Sequence, residues 1–153
     1  MTVADRLAEL GLAIPSVAAP VAAYVPAVMT GRYVYTAGQL PFVDGALSVT
    51  GKVGAGVDPE TAAGQARTAA LNALAAVESV AGSLDRVARV VKVTVFVASD
   101  PSFTGQPAVA NGASTLVGEV FGDAGVHARS AVGVAVLPLD APVEVELVVE
   151  LTD

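Results

Sequence analysis

The sequence predicts an α+β fold, a β-sheet with two helices on one face, from three observations. Residues 58–79 carry Ala66, Ala69, Ala70, Ala73, Leu74 and Val77 at three- and four-residue steps, the period of a helix with one small-residue apolar stripe. Residues 89–99, RVVKVTVFVAS, form a near-continuous β-branched run, which fits a central strand buried on both faces. The C-terminal segments SAVGVAVL and VEVELVVEL flank the turn PLDAP and read as two further strands.

In chain order, residues 3–10 (VADRLAEL) read as a short amphipathic helix stopped by Gly11 and Pro15. The stretch from Pro15 to Pro26 is rich in Pro and Ala, carries Tyr24, and reads as an extended arm. AVMTGRYVYTAGQL gives two β runs around Thr30-Gly31-Arg32, a hairpin, and Asp44-Gly45 marks another turn. GKVGAG at 51–56 reads as a flexible loop, since it lacks the G-x-x-x-x-G-K-[ST] order of a phosphate-binding loop. Asp58 is the expected N-cap of the long helix, Pro59 its first residue and Gly82 its stop. Residues 107–121 read as a second helix, whose Gly112 and Gly118 lower its propensity. PLDAP is expected to fold the last strand antiparallel onto the one that Arg129 opens.

Composition narrows the function classes. The 153 residues fit one domain, 1–153, with residues 1–14 as an N-terminal helical extension. Apolar residues make up 54% and mean hydropathy is +0.65, more than one small globule can hide. Part of that surface is therefore expected between subunits, and the open sheet face is the natural place. The longest uncharged apolar runs, such as 131–139, fall far short of the roughly 20 residues of a spanning helix. The N-terminus mixes Asp5, Arg6 and Glu9 into its apolar residues, unlike a signal peptide, so a cytoplasmic protein with no membrane partner is expected. With no cysteine and one histidine, thiolate chemistry is excluded and a metal site is not expected. A net charge of −7 repels nucleic acid, and Arg86, Arg89 and Lys92 are the one thin basic cluster.

The residues that could carry chemistry gather near the C-terminus. Arg129 stands beside His127 at the mouth of the most hydrophobic stretch. Its partner is either an intrachain carboxylate or a ligand. Alternation puts Glu144, Glu146, Val148 and Glu150 on one side of the last strand. For Glu146 and Glu150 a solvated face is the expectation, and for His127 loop or interface packing is preferred over a pocket acid or base. Alternation leaves open whether Arg129 and Glu144 meet in one subunit or across two.

GRYVYTAGQLP at 31–41, VVKVTVFVAS at 90–99 and HARSAVGVAVLPLDAPVEVELVVE at 127–150 resemble the RidA/YjgF family of reactive-intermediate deaminases, over roughly residues 20–151. The N-terminal helix and the HARSAVGV wording are similar to a longer branch labelled as endoribonuclease or YjgF-like. The resemblance implies a chorismate-mutase-like α+β fold, a mixed sheet with two helices on one face, and a homotrimer with a ligand site at each subunit interface. It further implies hydrolysis of 2-enamino and 2-imino acids to 2-keto acids and ammonia, without cofactor or metal. Carried over residue by residue, it makes Arg129 the clamp of the substrate carboxylate, a task suited to a planar guanidinium. Glu144 would position the hydrolytic water, Tyr24 would line the pocket from the arm, and Gly38 and Gln39 would shape its wall. Asn111 corresponds to a family asparagine at a different distance from the arginine. Ala37 stands where many deaminating members have serine, and Ala131 where they often have cysteine. Those departures motivate an alternative, a non-catalytic trimer that binds small carboxylates at the same cleft. An endoribonuclease is a third reading, opposed by the acidic charge and the single histidine.

Overall fold

In the computed structural model, which describes residues 1–17, 19 and 23–153, the long β-branched run forms strand β5 (Val87–Ala98), an interior strand one in from the edge of a five-stranded sheet. The other strands are β1 (Ala27–Thr30), β2 (Tyr33–Thr36), β6 (Ala128–Val134) and β7 (Val143–Leu151), in the spatial order β1-β2-β7-β5-β6. All neighbours are antiparallel except β5 and β6, which run parallel and are joined through helix α3 (Gln106–Phe121), the crossover that parallel strands require. A separate hairpin of β3 (Phe42–Val43) and β4 (Ala46–Leu47) turns at Asp44 and Gly45, both at positive φ (51° and 79°), as a two-residue hairpin turn demands.

The expected pairing of the last two strands is corrected: β6 and β7 do not touch as neighbours but flank β5 on opposite sides. Strands two places apart are about 9–10 Å apart, too wide for a tight turn. Residues 135–142 cross over the end of β5, where Ser99 N donates to Val134 O (2.9 Å) on one side and Ala98 N to Pro142 O (2.9 Å) on the other. Within that crossing Leu139 and Asp140 adopt positive φ (58° and 57°). Lys52 pairs with the Asp140 carboxylate and Gly51 N donates to Asp140 O (2.8 Å), which holds the bend.

The loop at 51–56 is thereby tied down, contrary to the flexible loop expected from its glycines. Val53 is fully buried, its N–H donates to Ala98 O (2.7 Å), and its carbonyl accepts from Asp100 N (2.9 Å).

Helix α2 (Pro59–Ala81) begins and ends as its sequence requires. Asp58 caps it by accepting from Thr61 N (2.8 Å), and Gly82 leaves it in the left-handed conformation (φ 82°). Its alanine stripe and the inner side of α3 lie on one sheet face, over the buried Val143, Val145, Leu147 and Val149 of β7 and Val93, Val95 and Val97 of β5. Asn72 of α2 is buried and donates to Leu40 O (2.9 Å) and Phe42 O (3.0 Å), anchoring the chain that follows Gln39. The first helix, α1 (Val3–Glu9), packs rather than dangles: Leu7 is buried and Arg6 Nε donates to Glu119 O (2.8 Å) on α3.

The second sheet face has no cover among the described residues. Burial of β5 on both faces therefore does not hold here: Lys92 is exposed and Thr94 and Phe96 are half-buried. Beside them lie Tyr35 (49% exposed) and Val132 (43%), apolar groups left to water on a face they share with Lys92, Thr94, Glu144 and Glu146. None of the described helices is long and apolar enough to cross a membrane.

Candidate functional site

Register decides which way the candidate residues face. Arg129 pairs with Val93, whose side chain enters the core, so Arg129 lies on the helix-covered side of the edge strand β6. There it meets Asn111 and Ser114, which stand three apart on α3 and so share one side of it. Arg129 Nη1 donates to Asn111 Oδ1 (2.7 Å) and to Ser114 Oγ (3.3 Å). Behind them His127 Nε2 is 2.8 Å from Ser114 Oγ, and His127 Nδ1 is 2.6 Å from Gly125 O. The histidine is thus packed in the loop before β6, as expected, but it is also hydrogen-bonded at both ring nitrogens.

Of the three partly buried cations, Lys52 and Arg67 pair with Asp140 and Glu119, whereas Arg129 has no carboxylate partner among the described residues. The intrachain salt bridge left open by the sequence is absent from this structure. Its acceptors are neutral, so they leave the guanidinium without a counter-charge. A carboxylate in their place would draw on the order of 4 kcal/mol of Coulomb attraction at contact distance near a protein surface, attraction then lost to a ligand.

Glu144 is set on the opposite face. It pairs with Phe96, which points away from the helices, and alternates with the buried Val143 and Val145. Its carboxylate lies directly on the backbone of Gly38: a Cβ added there would fall 1.8 Å from Glu144 Oε1. Glycine at 38 is therefore a condition of the glutamate's position, and any side chain there would displace it. Gln39 holds this approach, its N–H donating to Val145 O (2.8 Å) and its carbonyl accepting from Val145 N (3.0 Å). Burial, with Glu146 nearby as a lesser cause, pushes the Glu144 carboxyl above the usual carboxylate range. Glu150 pairs with Arg32 at 3.0 Å, in keeping with a surface role.

The structure thus assembles two half-sites. Arg129 and Asn111 come together, and Glu144, Gly38 and Gln39 come together, but the two groups lie on opposite faces of one sheet. Tyr24 lies in the arm before β1 and is half exposed. Ala131 shares Arg129's side and packs against the core. Ser114 was not singled out from the sequence, although its helical spacing from Asn111 was the available signal. Two clefts, about 320 Å³ between α1 and the end of α2 and about 800 Å³ between the arm and the β3–β4 hairpin, are lined by neither Arg129 nor Glu144. Among the described residues no group of three or more His, Cys, Asp or Glu side chains is placed to hold a metal ion.

Over residues 4–151 the chain matches the model of a family described as "YjgF/chorismate mutase-like, putative endoribonuclease". It is 47% identical over 152 residues to Protein TCP17 of Trypanosoma cruzi, covering 99% of this chain and 95% of that one. The crystal structure of Atu1372 from Agrobacterium tumefaciens is similar with a TM-score of 0.91 at 44% identity, covering 98% of this chain and 92% of the other. That of E. coli TdcF with bound serine is similar with a TM-score of 0.62 at 26% identity, covering 90% and 93%.

Proposed function

The chain belongs to the YjgF/chorismate mutase-like family and has its fold, and from that premise we propose that it hydrolyses 2-enamino and 2-imino acids to 2-keto acids and ammonia. The observation that carries this reading is Arg129, a partly buried cation held by neutral acceptors and without a carboxylate partner among the described residues. Such a group is a receptor for a ligand carboxylate, which it can grip through two parallel N–H bonds. The serine bound by the E. coli relative, an α-amino acid, supports a ligand of that class in the family.

The reaction needs a water and a group to move its protons. The enamine first tautomerises to the imine, and water then adds to the imine carbon. The resulting carbinolamine collapses, the C–N bond breaks, and ammonia leaves with the proton taken from water. Glu144, whose carboxyl is raised above the ordinary carboxylate range by burial, is suited to accept and return that proton. Because Glu144 and Arg129 face opposite sides of one sheet, the reading requires them to come from different copies of the chain. A homotrimer, built through the open sheet face, brings one copy's edge strand β6 to the next copy's Glu144. Holding the carboxylate at a fixed distance from that water lowers the entropic part of the barrier. No step calls for a cofactor.

The test is keto-acid release from imines generated in situ by an amino-acid oxidase, with semicarbazide competing for the imine. Arg129→Ala is expected to lower kcat/KM about 100-fold or more, the scale of losing charge-assisted hydrogen bonds, with the oligomer mass unchanged. A wild-type rate in the variant overturns the mechanism. Saturable binding of 2-keto acids without turnover in the wild type would instead assign a carboxylate-binding trimer, the reading that Ala37 and Ala131 favour. RNA cleavage has less support: Arg86, Arg89 and Lys92 lie exposed in a chain of net charge −7, and Arg86 is spent on Ala81 O (2.9 Å).

A further inference from the structure

Behind the Arg129 guanidinium Ser114 Oγ, the His127 ring and the carbonyl of Gly125 form a chain, and Asn111 Oδ1 meets the same Nη1 beside it. Their chemistry allows one direction of proton donation. A carbonyl only accepts, so the 2.6 Å contact at Gly125 O places the proton on His127 Nδ1. In the neutral ring Nε2 then carries a lone pair and takes the Ser114 hydroxyl proton at 2.8 Å. With its one proton turned toward the histidine, Ser114 presents lone pairs to Arg129 Nη1. Asn111 Oδ1 takes the other Nη1 proton. Both Nη1 hydrogens are thereby committed, and the Nε–Nη2 edge, which takes no acceptor among the described residues, is the one left to a carboxylate.

We infer that His127 and Ser114 are positioning residues, a one-way relay that turns the Arg129 clamp to face its ligand while leaving its charge unneutralised. The inference rests on the carboxylate-binding reading of Arg129 and adds what orients it. Without His127 the serine hydroxyl is free to rotate and aim its proton at the guanidinium, which turns an acceptor into a repelling group. A carboxylate at position 114 would fix the arginine more firmly, but it would compete with the ligand for the same charge. Asn111 remains as a single acceptor, and one hydrogen bond does not fix rotation about it.

The experiment uses the fact that His127 is the chain's one histidine, so ¹⁵N-histidine labelling reports this ring alone. In the neutral ring the proton is expected on Nδ1, with Nε2 hydrogen-bonded, and Ser114→Ala is expected to move the Nε2 resonance toward its unbonded position. A proton on Nε2, or an Nε2 resonance indifferent to Ser114→Ala, overturns the relay. In parallel, calorimetry with pyruvate as the carboxylate probe is expected to show about tenfold weaker binding in Ser114→Ala and His127→Phe. His127→Gln, whose amide oxygen can still accept the hydroxyl proton, is expected to recover most of that loss. A merely structural histidine would not favour Gln over the shape-matched Phe, so equal weakening in both overturns the proposal, as does unchanged binding in both. Wild-type protein that fails to bind pyruvate and fails to turn over imines overturns the reading of Arg129 itself, and with it the role assigned here. That outcome is read on the wild type alone and is therefore distinguishable from failure of the relay.

Discussion

The Glu144 carboxylate shows how one side chain's chemistry is set by its neighbour's lack of one. It occupies the space a Cβ at Gly38 would take, half-buried and without a salt-bridge partner among the described residues. Burial, then Glu146, raises its folded pKa above the unfolded value of 4.5. In the window upward from there the folded chain holds a proton that the unfolded chain has released, so stability falls as pH rises through it. The penalty is fully present above the folded pKa and relieved as pH falls. Glu144→Gln removes the group and is expected to flatten that decline, measured as the urea midpoint across the acid range. An unchanged slope would mean the carboxylate titrates as in water.

At the scale of elements, the two glycines of α3 look equivalent in sequence and are opposite in structure. A Cβ at Gly112 would lie 1.9 Å from the carbonyl oxygen of Ala63, so α2 and α3 approach each other through that glycine. A Cβ at Gly118 meets nothing within 4 Å. Alanine favours a helix over glycine by about 0.5–1 kcal/mol, whereas forcing a methyl into packed backbone costs about 1–3 kcal/mol. Gly112→Ala is therefore expected to destabilise by about 1–2 kcal/mol net and Gly118→Ala to stabilise by about 0.5–1 kcal/mol, both read from denaturant midpoints. The caps of α2 and the Asp44-Gly45 turn were legible because each rests on residues next to each other in the chain. The neighbours of β6 were not, because the crossing at 135–142 depends on Lys52 and Gly51, far away in sequence.

For the whole molecule, one sheet face is covered by helices, and the other, which carries Tyr35, Val132 and Phe96 beside Lys92, Glu144 and Glu146, has no cover among the described residues. A chain with 54% apolar residues that leaves such a face to water is expected to associate through it. Analytical ultracentrifugation is expected to give three times the 15.2 kDa chain mass, and Tyr35→Asp with Val132→Asp to yield monomer. Under the proposed mechanism that monomer loses activity with Arg129 and Glu144 both intact. Retained activity in a monomer would exclude a site shared between copies.

By itself the sequence determined what is local: the helical and strand periods, the caps and turns, the side of β7 that Glu144 shares with Glu146 and Glu150, and, through its motifs, the family. The tertiary structure alone decided that β6 and β7 lie on either side of β5 and that Arg129 and Glu144 face opposite sides of the sheet. It also decided that Ser114 and His127 stand behind the arginine. The reason is that a period of two orders side chains within one strand, while the side and register of one strand against another are set by the crossover connections and by packing between residues distant in the chain.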